Sequence, residues 1–273
     1  MRVTIWSTAA AVLVAVSALL LFTGSASVAL ADVIKAAEKH KLVKYTMTQA
    51  DETKDGSSVI PSVQVAYADL KSPRFRLEQR DLGTMMGALD FESIFIRDVS
   101  KNVTMHILTE VITKKGKTDP DLIKKLKGFE ALGVPRKVVT YNKAYDDFTP
   151  ATSDQNKSIL ENIRDLEKHK DAVPTKGKLK GKAVLKYRIE EEHKITLLIV
   201  DAATKLPVRM EYELTDPKIL HPTVTKMKFV LSDFEWDPEL RGFANLDEVF
   251  STTPPKGYKV DDLRKKKDEK KDK

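Results

Sequence analysis

The chain contains no cysteine in 273 residues. That absence excludes a disulfide framework, iron–sulfur clusters and thiolate zinc sites, and it excludes a lipid anchor carried on an N-terminal cysteine. No G-x-S-x-G, P-loop or G-x-G-x-x-G stretch occurs. The five histidines, His40, His106, His169, His193 and His221, never fall at ligand spacing on one predicted element, so no metal and no cofactor are expected. His106 lies on the polar side of a predicted strand and reads as a surface histidine. A strong excess of one charge is also missing. The 47 bases are interspersed with 40 acids for a net +7, and aromatics do not interleave with the bases, which argues against nucleic acid. Paired carboxylates for sugar hydrolysis are not called for by any pattern. The expectation is a non-enzymatic protein.

One long apolar run is present, at the start. Arg2 precedes an uncharged stretch densest from Ala9 to Phe22. Small residues follow, then Ala29-Leu30-Ala31 before Asp32. A short positive start, an apolar core and an A-x-A end form a secretory signal. From Val3 to Phe22 the run also reaches 20 residues, enough for a membrane anchor. The small-residue end favours cleavage after Ala31. Both readings place residues 32–273 outside the cytoplasmic membrane, in the periplasm. The expected organisation is 1–31 signal or anchor, 32–260 a single domain and 261–273 a charged disordered tail. The segment 261–273 holds seven bases and five acids and reads as solvated. Asp51, Glu52 and Asp55 read as a solvated turn.

Beyond the leader, residues 32–42 predict a short helix with Asp32 as N-cap. Period-two alternation follows: Val63, Val65 and Tyr67; Phe75 and Leu77; Val103, Met105 and Ile107. Asp119-Pro120 predicts a helix start that Gly128 ends. Residues 152–169 predict the best helix, with a capping box from Thr152 to Gln155 and a stripe of Ile159, Leu160, Ile163 and Leu166. Residues 185–189, 195–200, 207–214 and 224–234 read as strands, and ITLLIV at 195–200, apolar on both faces, as an interior one. A single open sheet would leave its apolar face wet, so helices must cover it. The predicted fold class is α+β: a strongly curved antiparallel sheet covered by two or three amphipathic helices.

Short motifs carry a resemblance. Phe250-Ser251-Thr252-Thr253-Pro254-Pro255-Lys256-Gly257-Tyr258-Lys259-Val260 is similar to the closing F-x-x-x-P-P-x-G-x-x-V segment of the LolA-like outer-membrane lipoprotein carriers. Asp69 to Arg76 resembles that family's second-strand exit, and Val200 to Glu211 resembles the D-x-x-T-x-L-P-V-R turn that recurs in the broader exported LolA-like set. The resemblance implies a half-barrel with an apolar cavity for an acyl chain or lipoprotein. In those carriers an Arg directly before the Pro helps to latch a helical lid. Ser72 stands at that position, with Arg74 two places on.

A half-barrel would offer its apolar face to an acyl chain at about 0.8 kcal/mol per buried CH₂. The candidate lining residues are Val65, Tyr67, Phe75, Leu77, Met105, Tyr187, Met210, Tyr212, Met227 and Phe229. Met85, Met86 and Leu89, in a glycine-flanked stretch, are the candidate lid. The expected partners are a lipid acyl chain or lipoprotein, with an envelope protein as a further partner and the chain itself a monomer. The alternative is an envelope sensor or partner-binding domain tethered by its N-terminal segment.

Overall fold

The structure is a computed structural model that describes residues 26–55, 62–83, 89–130, 136–143, 159–169, 172–216, 220 and 222–264. Twelve strands form one curved, open sheet, an α+β fold with few helices. In chain order the elements are α1 (Ala26–Ala37), β1 (Leu42–Thr53), β2 (Ser62–Asp69), β3 (Arg74–Gly83), β4 (Leu89–Asp98), β5 (Val103–Ile112), α2 (Lys114–Thr118), α3 (Pro120–Glu130), β6 (Lys137–Asn142), α4 (Ile159–Glu167), β7 (Thr175–Leu179), β8 (Lys182–Glu191), β9 (Lys194–Asp201), β10 (Pro207–Leu214), β11 (Val224–Trp236), α5 (Leu246–Val249) and β12 (Lys259–Asp262). Across the sheet the order is β12-β6-β5-β4-β3-β2-β1-β11-β10-β9-β8-β7. The sheet is antiparallel as expected at every neighbouring pair except β12 on β6, which is parallel. None of the described helices is long and apolar enough to cross a membrane.

One face carries helices α1 and α4. Leu30, Val33 and Ile34 of α1 and Ile159, Ile163 and Leu166 of α4 share one buried cluster with the strands below. The predicted α4 stripe is therefore inward, as amphipathic spacing requires. Its capping box at Thr152 and Gln155 lies outside the described residues. Glu38 and Arg164 tie the two helices at 2.8 Å. Helix α1 starts six residues before the expected N-cap, so Asp32 sits inside the helix. The described elements run from Ala26 to Asp262. Helix α3 begins as its sequence requires, with the Asp119 carboxylate accepting from the N–H groups of Asp121 (3.0 Å) and Leu122 (3.3 Å). It runs through Gly128 to Glu130 rather than ending there. Asp51 and Glu52 belong to β1, not to a turn.

The other face carries a strap. After β11 the chain folds over Tyr67 and Leu42 and packs Leu240, Phe243, Leu246, Val249 and Phe250 on them. It then passes Tyr141, whose hydroxyl donates to the Thr252 carbonyl (2.8 Å), and Tyr258, bonded to Thr109 (2.7 Å). The strap ends as β12 beside β6. This placement accounts for the F-x-x-x-P-P-x-G-x-x-V segment. Phe250 is the buried anchor, and Gly257 turns the chain at φ +84°, a conformation that favours glycine.

Carboxylates at chain reversals set the acid limit of this fold. Asp98, 1% exposed at its side chain, closes the β4–β5 turn. Burial alone would raise its pKa. Hydrogen bonds from Ser100 and Lys101 outweigh that and hold it below the usual range. Asp237 is likewise lowered: burial opposes, while the N–H groups of Lys41 and Leu42 and the His40 ring prevail. A group with a depressed folded pKa contributes stability that is present above its unfolded pKa and lost as pH falls through the folded value. The thermal midpoint followed by circular dichroism should therefore stay level from neutral pH down to about 4, the unfolded carboxylate pKa, and drop below it. Asp98→Asn should lower the plateau and flatten the drop.

Candidate binding face

Strand parity decides which side chains share a surface. From β1 outward, Tyr45 is opposite Ala66, Ala66 opposite Leu77, Leu77 opposite Phe95 and Phe95 opposite His106. On the other flank, Met47 faces Leu231, Leu231 faces Met210, Met210 faces Leu198 and Leu198 faces Tyr187. All of these lie on the helix side. Seven of the ten candidate lining residues are there: Phe75, Leu77, Tyr187, Met210, Tyr212, Met227 and Phe229.

The remaining three lie on the strap side. Val65 and Tyr67 have the opposite parity to the fully buried Ala66 and Ala68. The alternation at 62–69 is thus inverted relative to the expectation, and Val63 is 52% exposed. Alanines point inward because they face Tyr45 and Val43 across the β1–β2 pair, where a small side chain leaves room for the tyrosine ring. Met105 is fully buried, but with Ile96, Ile107, Val139 and Tyr141 in a second cluster under the strap. In β5 the apolar face meets the strap and the polar face meets the helix side, the reverse of the expected arrangement. Leu89 belongs to β4 and is buried there rather than in a lid, while Met85 and Met86 lie outside the described residues.

The helix side therefore has two regions. Around β1 and β8–β11 it is filled: Tyr187 and Met210 have no exposed surface, and Phe229 and Tyr212 have almost none. Leu77, Phe95, Leu214 and Met227 remain partly buried around that core. Two hydroxyls inside it, those of Tyr187 and Thr196, have no hydrogen-bond partner among the described residues. Burial, followed by the charge of Asp32, pushes the Tyr187 phenol up to about 12.

Beyond Leu77 and Phe95 the same face turns polar, which sequence reading missed. Gln64 donates to Gln79 (3.0 Å), Gln79 donates to Asp81 (2.7 Å), and Ser93 pairs with His106 Nε2 (2.8 Å). Gln79 and Ser93 are register partners, so the two hydrogen-bonded pairs are contiguous. Arg97 and the buried Thr104 form the next rung. His106 is half-buried rather than a surface residue, and its burial lowers its pKa. The signal that could have found this row is parity: Gln64 shares the phase of Ala66 and Ala68.

Arg74 has a role other than holding a helical lid. It faces the strap side, bonds Asp69 through Nε (2.8 Å) and Nη2 (2.6 Å), meets Asp247 at 2.6 Å, and stacks over the Phe250 ring at 5.1 Å. Arg76 donates to the Val249 carbonyl (3.1 Å) and covers Phe243 at 5.0 Å. Both arginines clamp the strap.

An open curved sheet with helices on one face and a returning strap on the other is the class of fold this chain adopts. Among solved structures it is similar to a LolA superfamily protein from Nitrosomonas europaea (7% identity, TM-score 0.31, covering 81% of this chain and 96% of that one). It is also similar to a proposed outer membrane lipoprotein-sorting protein domain from Vibrio parahaemolyticus (11% identity, TM-score 0.29, 80% and 94%). PNGF-II matches at 10% identity and a TM-score of 0.29 over 84% of this chain, which spans about a third (32%) of the PNGF-II length. No family model and no curated protein sequence matches the chain. At these identities and TM-scores the likenesses assign no function.

Proposed function

We propose that the protein is a non-enzymatic carrier or binder of an amphiphile, an acyl chain or lipoprotein, acting outside the cytoplasm. The observation that supports this reading is the border on the helix side of β3 and β4. There Leu77 and Phe95 stay partly exposed at the edge of the apolar core, directly beside the hydrogen-bonding row of Gln64, Gln79, Ser93 and His106. An acyl tail extends the apolar core over Leu77 and Phe95, while its ester or amide head meets side chains that both donate and accept hydrogen bonds. The fully buried Tyr187, Met210 and Phe229 are the wall against which such a tail ends, not its lining. The export-type start of the chain supports a site of action in the cell envelope.

Native mass spectrometry of gently purified protein should show a lipid-sized added mass. Leu77→Asn should weaken binding of a fluorescent fatty acid by about tenfold, the loss of one buried leucine contact, with an unchanged β-type circular dichroism spectrum. Absence of both the added mass and the Leu77 effect overturns the reading.

A further inference from the structure

The free edge of the sheet beyond β8 carries the most one-sided charge among the described residues. From Thr175 to Ile189 the chain holds Lys176, Lys178, Lys180, Lys182, Lys186 and Arg188 and no acid. Strands β7 and β8 are joined by Lys180-Gly181, both with positive φ (48° and 82°), a tight hairpin turn that projects this segment. Arg188 is tied to Glu190 at 2.6 Å. The five lysines form no ion pair among the described residues. Lys176, Lys178, Lys180 and Lys182 are all exposed. Lys182 interacts electrostatically with Asp201, whose carboxylate also accepts the N–H groups of Ala203 and Thr204 (2.9 Å each), and Asp233 borders the same hollow as Lys180 and Lys182.

Lysines on an edge strand block pairing with another sheet. That purpose covers Lys176 and Lys178, which lie on β7. It does not cover Lys180 in the turn or Lys182 on β8. A second observation points to a membrane. The apolar run from Val3 to Phe22 is separated from the first residue of α1, Ala26, by only three residues. Leu30 and Val33 of α1 share one buried cluster with Tyr187, Leu198 and Val200 as well as with Val43, Ala66 and Phe75. Val173, two residues before β7, adds an apolar side chain that is 67% exposed.

We infer that the sheet edge at the β7–β8 hairpin, with Lys176 and Lys178 on the helix side and Lys182 on the strap side, docks edge-on against an anionic phospholipid bilayer. Its lysines act as point charges against lipid phosphates, as juxtamembrane basic clusters do. The inference does not depend on what the helix-side face binds.

The test is flotation of the full chain with phosphatidylcholine vesicles, with and without phosphatidylglycerol, at low and high salt. The N-terminal run binds both vesicle types alike, so the readout is the preference for the anionic ones. We expect a preference of about tenfold or more at low salt that shrinks as salt screens the charges. Replacing Lys176, Lys178, Lys180 and Lys182 by Gln should abolish it, and replacing them by Arg should keep it. Lys180→Gln with Lys182→Gln leaves the edge strand intact and should remove about half of it on a logarithmic scale. Three outcomes overturn the inference: no anionic preference, a preference that survives all four Gln substitutions, or one lost on neutralising Lys265, Lys266 and Lys267 of the tail instead. Binding to a soluble polyanion with none to anionic vesicles overturns it as well.

Discussion

Asp69→Ala should be among the most damaging single substitutions in this protein, at about 3–5 kcal/mol of unfolding free energy, the range for breaking a buried ion pair from one side. The Asp69 side chain is 1% exposed. Its carboxylate accepts the backbone N–H groups of Lys71 (2.8 Å) and Ser72 (3.0 Å) as well as two guanidinium nitrogens of Arg74. Alanine leaves those turn N–H groups without their acceptor and leaves Arg74, 14% exposed, with Asp247 as its remaining carboxylate. Asp247 is 87% exposed, so Asp247→Ala should cost less than about 1 kcal/mol, as solvent-exposed pairs do. Urea denaturation distinguishes the two through the transition midpoint at constant slope. Pairing Asp69→Ala with Arg74→Met should recover part of the loss, because the stranded charge is gone. A cost for Asp69→Ala no larger than that for Asp247→Ala would mean that the strap is held by its apolar anchors alone.

The asymmetry at Asp69 shows how much of this molecule is legible before folding. The strand exit Asp69 to Arg76 was visible as a motif, and so was the Phe250 segment. Their mutual contact was not, because they are separated by more than 170 positions and joined by cross-sheet geometry. Alternation located Phe75 and Leu77, Tyr187 and Ile189, Met210 and Tyr212, since each strand there has one apolar face. Alternation does not say which side of the sheet that face meets. In β5 the apolar residues Met105 and Ile107 turn to the strap, and in β2 the small Ala66 and Ala68 outrank the larger Val65 and Tyr67. Both misreadings have one cause: this sheet is covered on both faces, so apolar side chains occur in both phases.

The polar row was illegible for the same reason. Gln64, Gln79, Ser93 and His106 come from four strands, and each alone resembles an outward-facing residue. Only the register, which makes Gln64 the partner of Gln79 and Gln79 the partner of Ser93, turns them into one surface. Helix boundaries failed locally. Asp32 has the chemistry of an N-cap, yet α1 begins at Ala26, because Leu30 adds one more turn of buried contact with the core. Tertiary burial outweighs a capping preference of about 1 kcal/mol.

Phe229→Ala is expected to separate core from binding site. Phe229 is 2% exposed, lies opposite Tyr212 across the β10–β11 pair and belongs to the cluster beneath α1 and α4. Truncating a buried phenylalanine removes its transfer free energy and leaves a cavity, for a loss of about 3–5 kcal/mol. The fraction that stays folded should still bind a fluorescent fatty acid with nearly native affinity, because the proposed contact surface begins at Leu77 and Phe95 on the far side of β1. Leu77→Asn should behave in the opposite way, with weak binding and a stability change below about 1 kcal/mol, since its side chain is already partly exposed. The paired measurement, an unfolding midpoint and a binding isotherm for each variant, tests placement and not merely folding. If Phe229→Ala instead stays stable and loses the fatty acid, the ligand occupies the space now filled by α1 and α4. Those helices would then have to swing away from Tyr187 and Met210 before anything could enter, and uptake would be limited by helix opening rather than by diffusion.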